Sequence, residues 1–190
     1  MDKLGQKWDA IYRQREGSNP EPSGVLAQHT HLLPETGFAL DLACGLGANT
    51  FLLAQHGLCV DAWDISAVAI EQIKKKTSPL AQVNAEVVDV TQAKLLQSHY
   101  DVIVVSRFLD RQVVPKLIDA LKPQGLIFYQ TFTLAKSHTN GPSNPDFLLQ
   151  RNELLSLFSE LITVIYREDN NIGNTQLGLR NEAMLVAQKP

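Results

Sequence analysis

Residues 39–50 read ALDLACGLGANT, and residues 60–64, VDAWD, close a second apolar run on an acid. A short apolar strand that runs into a small-residue turn and opens a helix, followed by a strand ending in a carboxylate, is the signature of a strand–helix–strand unit in an α/β sheet. Ala43, Gly45 and Gly47 carry little or no side chain, so the turn lets a ligand approach the backbone. Asp64 follows Gly47 by 17 positions, where dinucleotide-binding folds place the acid that holds ribose hydroxyls. The expected ligand is therefore a nucleoside.

Asp41 narrows the choice. The run GLGANT lacks the third glycine of the G-x-G-x-x-G fingerprint, which that motif uses for close helix–strand packing. Asp41 also sits inside the first strand, where a pyrophosphate binder carries an apolar residue. A fixed negative charge there repels phosphate and favours a cation or a hydrogen-bond donor, such as an ammonium beside a sulfonium. With that step the segment resembles motif I of the class I S-adenosylmethionine-dependent methyltransferases, and Asp64 resembles their acid after the second strand.

The rest of the chain alternates strands and helices. Helices are expected over residues 8–15, 25–33, 49–56, 66–77, 114–121 and 151–158, and strands over 38–42, 58–63, 85–90, 100–106, 126–131, 161–166 and 182–187. Gly57 is expected to close the third helix and Ser66 to cap the fourth, while residues 122–125, KPQG, read as a turn. Strands joined by helices imply a parallel sheet with right-handed crossovers. Only a polar loop, residues 167–181, separates the last two strands, which predicts an antiparallel hairpin at one edge. The resemblance implies a three-layer Rossmann-like methyltransferase fold of class α/β, with a seven-stranded sheet in the order 3-2-1-4-5-7-6. One methyltransferase domain is expected over residues 1–190, with 1–36 a helical cap region and 37–190 the core.

Composition agrees with one globular domain: 190 residues, 44% of them hydrophobic, are enough for a full core. Seventeen basic against twenty acidic residues leave a net charge of −3, which disfavours a nucleic-acid partner bound through a broad basic surface. No apolar run approaches the ~18 residues of a membrane span, and the polar residues 1–8 lack a signal-peptide apolar region. Cys44 and Cys59 lack C-x-x-C spacing and read as reduced packing residues in a cytoplasmic protein. His29, His31, His56, His99 and His138 show no metal-ligand spacing, so no metal is expected. Lys74, Lys75 and Lys76 suit the negative pole of a helix C-terminus. Oligomeric state is not written in any of these features.

The resemblance extends over nearly the whole chain and narrows to the small stand-alone bacterial methyltransferases described as tellurite-resistance-like. LDLACGLG at 40–47, DAWDIS at 61–66, SRFLDR at 106–111, YQTFT at 129–133, PSNPDFLL at 142–149 and NELL at 152–155 carry it. Two positions depart from that pattern: Ala48 stands where relatives usually carry an arginine, and Pro123-Gln124-Gly125 where they read Pro-Gly-Gly. The implied cofactor is S-adenosyl-L-methionine, with S-adenosyl-L-homocysteine as product, and the implied acceptor is a small molecule such as a tellurite oxyanion or a thiol. A methyl group on a sulfonium is already activated, so such an enzyme has to align the reactants and exclude water, and needs no triad.

In open α/β sheets, ligands sit beyond the carboxyl ends of the strands at the switch point, here between strands one and four. Asp41, Ala43, Gly45 and Gly47 are expected beside the methionine and ribose portions of the donor, Asp64 on the ribose hydroxyls, and Ile65 on the adenine. Asp89 is expected at the adenine amino group with Val90 along the ring. Asp64 reads alternatively as a charge complementing a helix N-terminus, and Asp89 as a solvated strand-end acid. Ser106 and Arg107 follow strand four, and Tyr129, Thr131 and Thr133 lie on or after strand five, on one face provided that the strand persists that far. Of these, Arg107, Tyr129 and Thr131 are the acceptor-side catalytic candidates. Arg107 has the fork of donors an anionic acceptor needs, or else pairs with Asp110 or Asp101. Tyr12 is expected to close over the donor, although its i, i+4 spacing from Trp8 also suits plain helix packing. The polar segment 134–146 is either a lid or a simple loop. Two other functions stay open: a nicotinamide-dependent oxidoreductase, and a non-catalytic module that binds the donor or its product.

Overall fold

The centre of the sheet is built from runs that are apolar on both faces. In the computed structural model, which describes residues 3–77, 82–137, 139 and 141–190, β1 (Gly37–Leu42) and β4 (Tyr100–Ser106) lie side by side in parallel. Ala39, Leu40, Leu42 and Val102 to Val105 are all buried, as expected of parallel strands covered on both sides. Alternation then divides them between two cores. Leu40, Leu42, Ile103 and Val105 pack with α5 (Val114–Ala120) and α6 (Glu153–Leu157). Ala39, Val102 and Val104 pack on the other face with Val25 and Leu26 of α2 (Gly24–Ala27) and with Leu53 of α3 (Ala48–Gln55). The result is three layers.

Outward from β1 lie β2 (Leu58–Asp64) and β3 (Val83–Val87), both parallel to it. Outward from β4 lie β5 (Leu121–Phe132), then β7 (Glu182–Gln188), then β6 (Ile162–Arg167). The seven-stranded order is 3-2-1-4-5-7-6, and β7 runs antiparallel to both of its neighbours. The expected architecture is the observed one. Helix α4 (Ala67–Lys76) connects β2 to the β3 edge and packs against the long N-terminal helix α1 (Lys3–Gln14).

Local readings hold where a cap decides them. Ser66 Oγ accepts the Ala69 amide at 3.2 Å and starts α4, and Gly57, at φ 97°, follows the C-cap of α3. Three expectations shift. The helix expected over 25–33 divides into α2 and a 3₁₀ turn, Thr30–Leu32. The His29 ring nitrogen Nδ1 sits 2.8 Å from the Val25 carbonyl oxygen and occupies the acceptor that a continuing helix would use. Strand three ends at Val87 rather than Val90, because the Asp89 carboxylate folds back onto the Thr91 amide and hydroxyl at 3.0 and 2.7 Å. The KPQG turn is absorbed into β5 as a bulge, with Gln124 at φ 66°. A side chain in that left-handed region costs roughly 1–2 kcal/mol, a cost that a glycine at position 124 would avoid.

Among the described residues no helix is long and apolar enough to cross a membrane. His138 lies outside the described residues, as do positions 138 and 140 of the polar segment and positions 1 and 2 of the N-terminus.

Candidate functional site

The chain leaves β1 and β4 in unusual backbone conformations. Ala43 follows β1 at φ 56°, and Arg107 follows β4 at φ 54°. Both are left-handed and neither is glycine, so each holds a small amount of strain. They flank the switch point, and above them opens a cleft of about 1220 Å³. Small-molecule pockets usually measure about 300–1,000 Å³, so this one has room for two reactants. Its walls are α1, residues 18–24, the carboxyl ends of β1, β2 and β4, and residues 180–182.

Asp64 holds the floor together. Its Oδ2 accepts the Gly45 amide at 2.8 Å and its Oδ1 accepts the Ser66 amide at 2.9 Å. One carboxylate thereby ties the glycine turn to the entry of α4. Asp64 is 4% exposed yet lines the cleft, and burial raises its pKa against the pull of those two amides. Gly45, at φ 54°, stands directly beneath Tyr12: a Cβ there would lie 2.9 Å from the Tyr12 hydroxyl, which would have to shift. Tyr12 reaches over the turn from α1, stacked on Trp8 with ring centroids 5.9 Å apart; burial, reinforced by the charge of Asp64, raises the pKa of its hydroxyl.

Nine of the thirteen residues singled out in the sequence line this one cleft: Tyr12, Ala43, Gly45, Asp64, Ile65, Asp89, Val90, Ser106 and Arg107. Ala48, the departure at the glycine turn, lines it as well. Four do not, and each has a physical reason. Asp41 is completely buried beneath the turn, where its Oδ2 accepts the Thr50 hydroxyl at 2.6 Å. Burial pushes its pKa up to about 7, against hydrogen bonds from Thr50 and Asn49, and its Oδ1 has no well-formed hydrogen bond. Gly47, at φ 82°, leaves space for α4 rather than for a ligand, since a Cβ there would lie 2.8 Å from Ile73 Cγ1. Tyr129 is a core residue packed on Phe158 at 5.4 Å, and its hydroxyl donates to the Phe108 carbonyl at 3.0 Å. Thr131 is 1% exposed on the same strand face. The fold thus places Tyr129 and Thr131 in the buried part of β5 and not among the residues that line the cleft. Tyr129→Phe should lower stability by about 1 kcal/mol, the net contribution of the lost hydrogen bond, and leave ligand affinity within twofold in parallel denaturation and titration experiments.

Arg107 pairs with neither Asp110 nor Asp101. Its Nε lies 3.1 Å from Glu182 Oε1, a buried carboxylate that also takes a hydrogen bond from the Gln130 amide. Glu182, Gln130, Asn49 and Asp9 are the polar residues that sequence reasoning missed. Asp9, buried on α1, accepts the Ser66 hydroxyl at 2.6 Å and the Val68 amide at 3.2 Å, and the Ser66 bond holds its pKa below the usual range. It fastens the helix that carries Trp8 and Tyr12 to the Asp64 corner. A buried acid inside an amphipathic helix was the available signal.

Known proteins place this geometry in a family. The family model described as Tellurite resistance protein TehB matches residues 12–178. The chain belongs to the TehB family. A TehB relative from Haemophilus influenzae strain KW20 Rd, named "Probable S-adenosyl-L-methionine-dependent methyltransferase TehB", is 28% identical over 137 residues, which are 68% of this chain and 48% of the relative. The chain spans about half the length of the curated TehB relatives it matches. The crystal structure of TehB from Haemophilus influenzae superposes with a TM-score of 0.72 at 20% identity, covering 96% of this chain and 67% of that one. A SAM-dependent methyltransferase from Aquifex aeolicus superposes with a TM-score of 0.70 at 14% identity, covering 96% and 98%. At these identities the two structures speak for the fold, while the family model carries the membership.

Proposed function

We propose that the protein transfers a methyl group from S-adenosyl-L-methionine to a small-molecule acceptor held beside Arg107. The observation that carries this reading is the pair of buried carboxylates, Asp41 and Asp64, at the glycine turn beneath the cleft. Either carboxylate, once ionised, repels phosphate, whereas hydroxyls and a cationic sulfur nucleoside would be favoured. The incompletely bonded Asp41 Oδ1 fits such a ligand, and Gly45 lets Tyr12 close over the turn beside it.

Asp64 would hold the ribose hydroxyls, Ile65 and Val90 the faces of the adenine, and Asp89 its amino group. Asp41 acts through its charge from beneath the turn. S-adenosylmethionine, when bound, supplies a methyl group on a sulfonium, already activated for in-line displacement. Trp8 and Tyr12 exclude water over the donor, while Ser106 and Arg107 orient the acceptor at the exit of β4. The terminal nitrogens of Arg107 suit an anionic acceptor such as the tellurite suggested by the family's name, or an anion bearing a thiol. Residues 1–36 serve as the cap and 37–190 as the core of one methyltransferase domain.

Calorimetric titration tests the reading. S-adenosylhomocysteine and S-adenosylmethionine should bind in the micromolar range and NADH should not; binding of NADH alone would sink the proposal. Ala48, a side chain without charge on the cleft wall, favours one second reading, a non-catalytic module that binds the donor. Turnover of S-adenosylmethionine across an acceptor screen separates the two.

A further inference from the structure

Gln130 lies near the end of β5, 6% exposed, paired with Ser106 on one side and Met184 on the other. Each of its polar groups serves a different element. Its backbone carbonyl accepts the Arg107 amide at 2.8 Å and so holds the left-handed turn after β4. Its side-chain oxygen accepts the Val25 amide at 2.7 Å, and its side-chain nitrogen donates to the Glu182 carboxylate. Glu182 in turn holds Arg107 through Nε.

A carboxylate only accepts hydrogen bonds, so the group facing Glu182 must be the NH₂ of Gln130. The side-chain oxygen is then forced toward the Val25 amide. Immediately before Val25, residues 18–24 form a strap along the cleft wall. That strap is fastened a second time at Ser23, whose amide and hydroxyl donate to Asn49 Oδ1 at 2.8 and 3.0 Å. Asn49 is the second residue of α3 and belongs to the glycine-turn side of the cleft. The strap is therefore pinned to the donor side by Asn49 and to the acceptor side by Gln130.

We propose that Gln130 is a positioning residue that couples the two halves of the cleft: the negative charge of Glu182, paired with Arg107, sets the orientation of the Gln130 amide and thereby fastens the strap beside the donor. Assigning the halves to donor and acceptor rests on the methyltransferase reading; the coupling itself does not. An acceptor that draws Arg107 or Glu182 into new contacts would be felt at Val25 although it touches neither Val25 nor the donor.

Two variants and two readouts test this. Gln130→Met removes both side-chain bonds; hydrogen exchange at the Val25 amide should accelerate at least tenfold, and S-adenosylhomocysteine should bind several-fold more weakly. The discriminating variant is Glu182→Gln, which leaves Gln130 in place but removes the charge that orients its amide. Exchange at Val25 should accelerate there too, with weaker binding and an unchanged rate at core amides such as Val104. Glu182→Asp keeps the carboxylate and should restore slow exchange. Val25 exchange within twofold of the wild type in Glu182→Gln would overturn the coupling, and so would fast exchange in Glu182→Gln and Glu182→Asp alike, which would trace to side-chain packing. If the wild type fails to bind S-adenosylhomocysteine, the methyltransferase reading falls, and the exchange measurement still decides the role of Gln130.

Discussion

Asp64→Ala should abolish measurable donor binding, a loss of a hundredfold or more, and should also lower stability. Two causes add. The carboxylate is the proposed acceptor for the ribose hydroxyls, and hydrogen bonds to a charged group contribute about 1.5–3 kcal/mol. It is also the acceptor for the Gly45 and Ser66 amides, so its removal orphans two backbone donors at about 1–3 kcal/mol each and loosens the turn that shapes the cleft. Thermal unfolding and calorimetric titration at one pH separate the effects. A variant that unfolds several degrees lower but binds S-adenosylhomocysteine within threefold of the wild type would confine Asp64 to a structural role. Asp64→Asn keeps one of the two acceptors and carries the same comparison if the alanine variant is too unstable to titrate.

Asp41→Asn should move stability and affinity in opposite directions. The Asp41 carboxyl ionises near 3.8 in an unfolded chain and at about 7 in the fold. Between those values the folded protein keeps a proton that the unfolded chain has lost. The stability of the ligand-free protein therefore falls as pH rises from about 4 to 7, and levels off above that. Over this window the change is on the order of 4 kcal/mol, at about 1.36 kcal/mol per pH unit. The asparagine variant should lose most of this slope and melt several degrees higher than the wild type at pH 8, with little difference at pH 4.5.

Donor affinity should respond with the other sign. A bound cation favours the ionised carboxylate, so wild-type affinity should rise from pH 5 to 8, and binding at pH 6 should release a proton. Calorimetry in buffers of different ionisation enthalpy measures that proton directly. Asp41→Asn should bind about tenfold more weakly at pH 8 and release less; any pH dependence that remains reports on Asp64, whose pKa is raised in the same direction. A variant neither stabilised at pH 8 nor weakened in binding would remove Asp41 from the account. The expected trade of stability for function is common at binding sites.

Beside the strand order that the family resemblance implied, the glycine turn, the acid after β2 and the alternation of strands with helices were all legible in the sequence. They depend on local chemistry: residues that accept positive φ, a carboxylate at the end of an apolar run, and strands separated by helix-length connections. Gly47 shows the limit of that reading. Its left-handed φ suits the motif, but whether the missing side chain makes room for a ligand or for Ile73 depends on where α4 packs.

Strand five makes the same point more sharply. Alternation puts Tyr129 and Thr131 on one face, with Thr133 one residue beyond the end of β5, yet Tyr129 turns into the core beneath α5 and α6, while Gln130, of opposite parity, supports the cleft wall. The period of two belongs to the sequence, but which parity meets the site is set by the layers that cover the sheet. The polar contacts that shape the site likewise bridge long separations: Asp9 to Ser66 across 57 residues, Gln130 to Glu182 across 52, and Val25 to Gln130 across 105. By itself, then, the sequence determined the α/β architecture and the glycine turn with its acid, and the strand order came with the family resemblance. Only the tertiary structure decided which polar groups join at the cleft, because burial and hydrogen bonding across such distances exist only once the layers have packed.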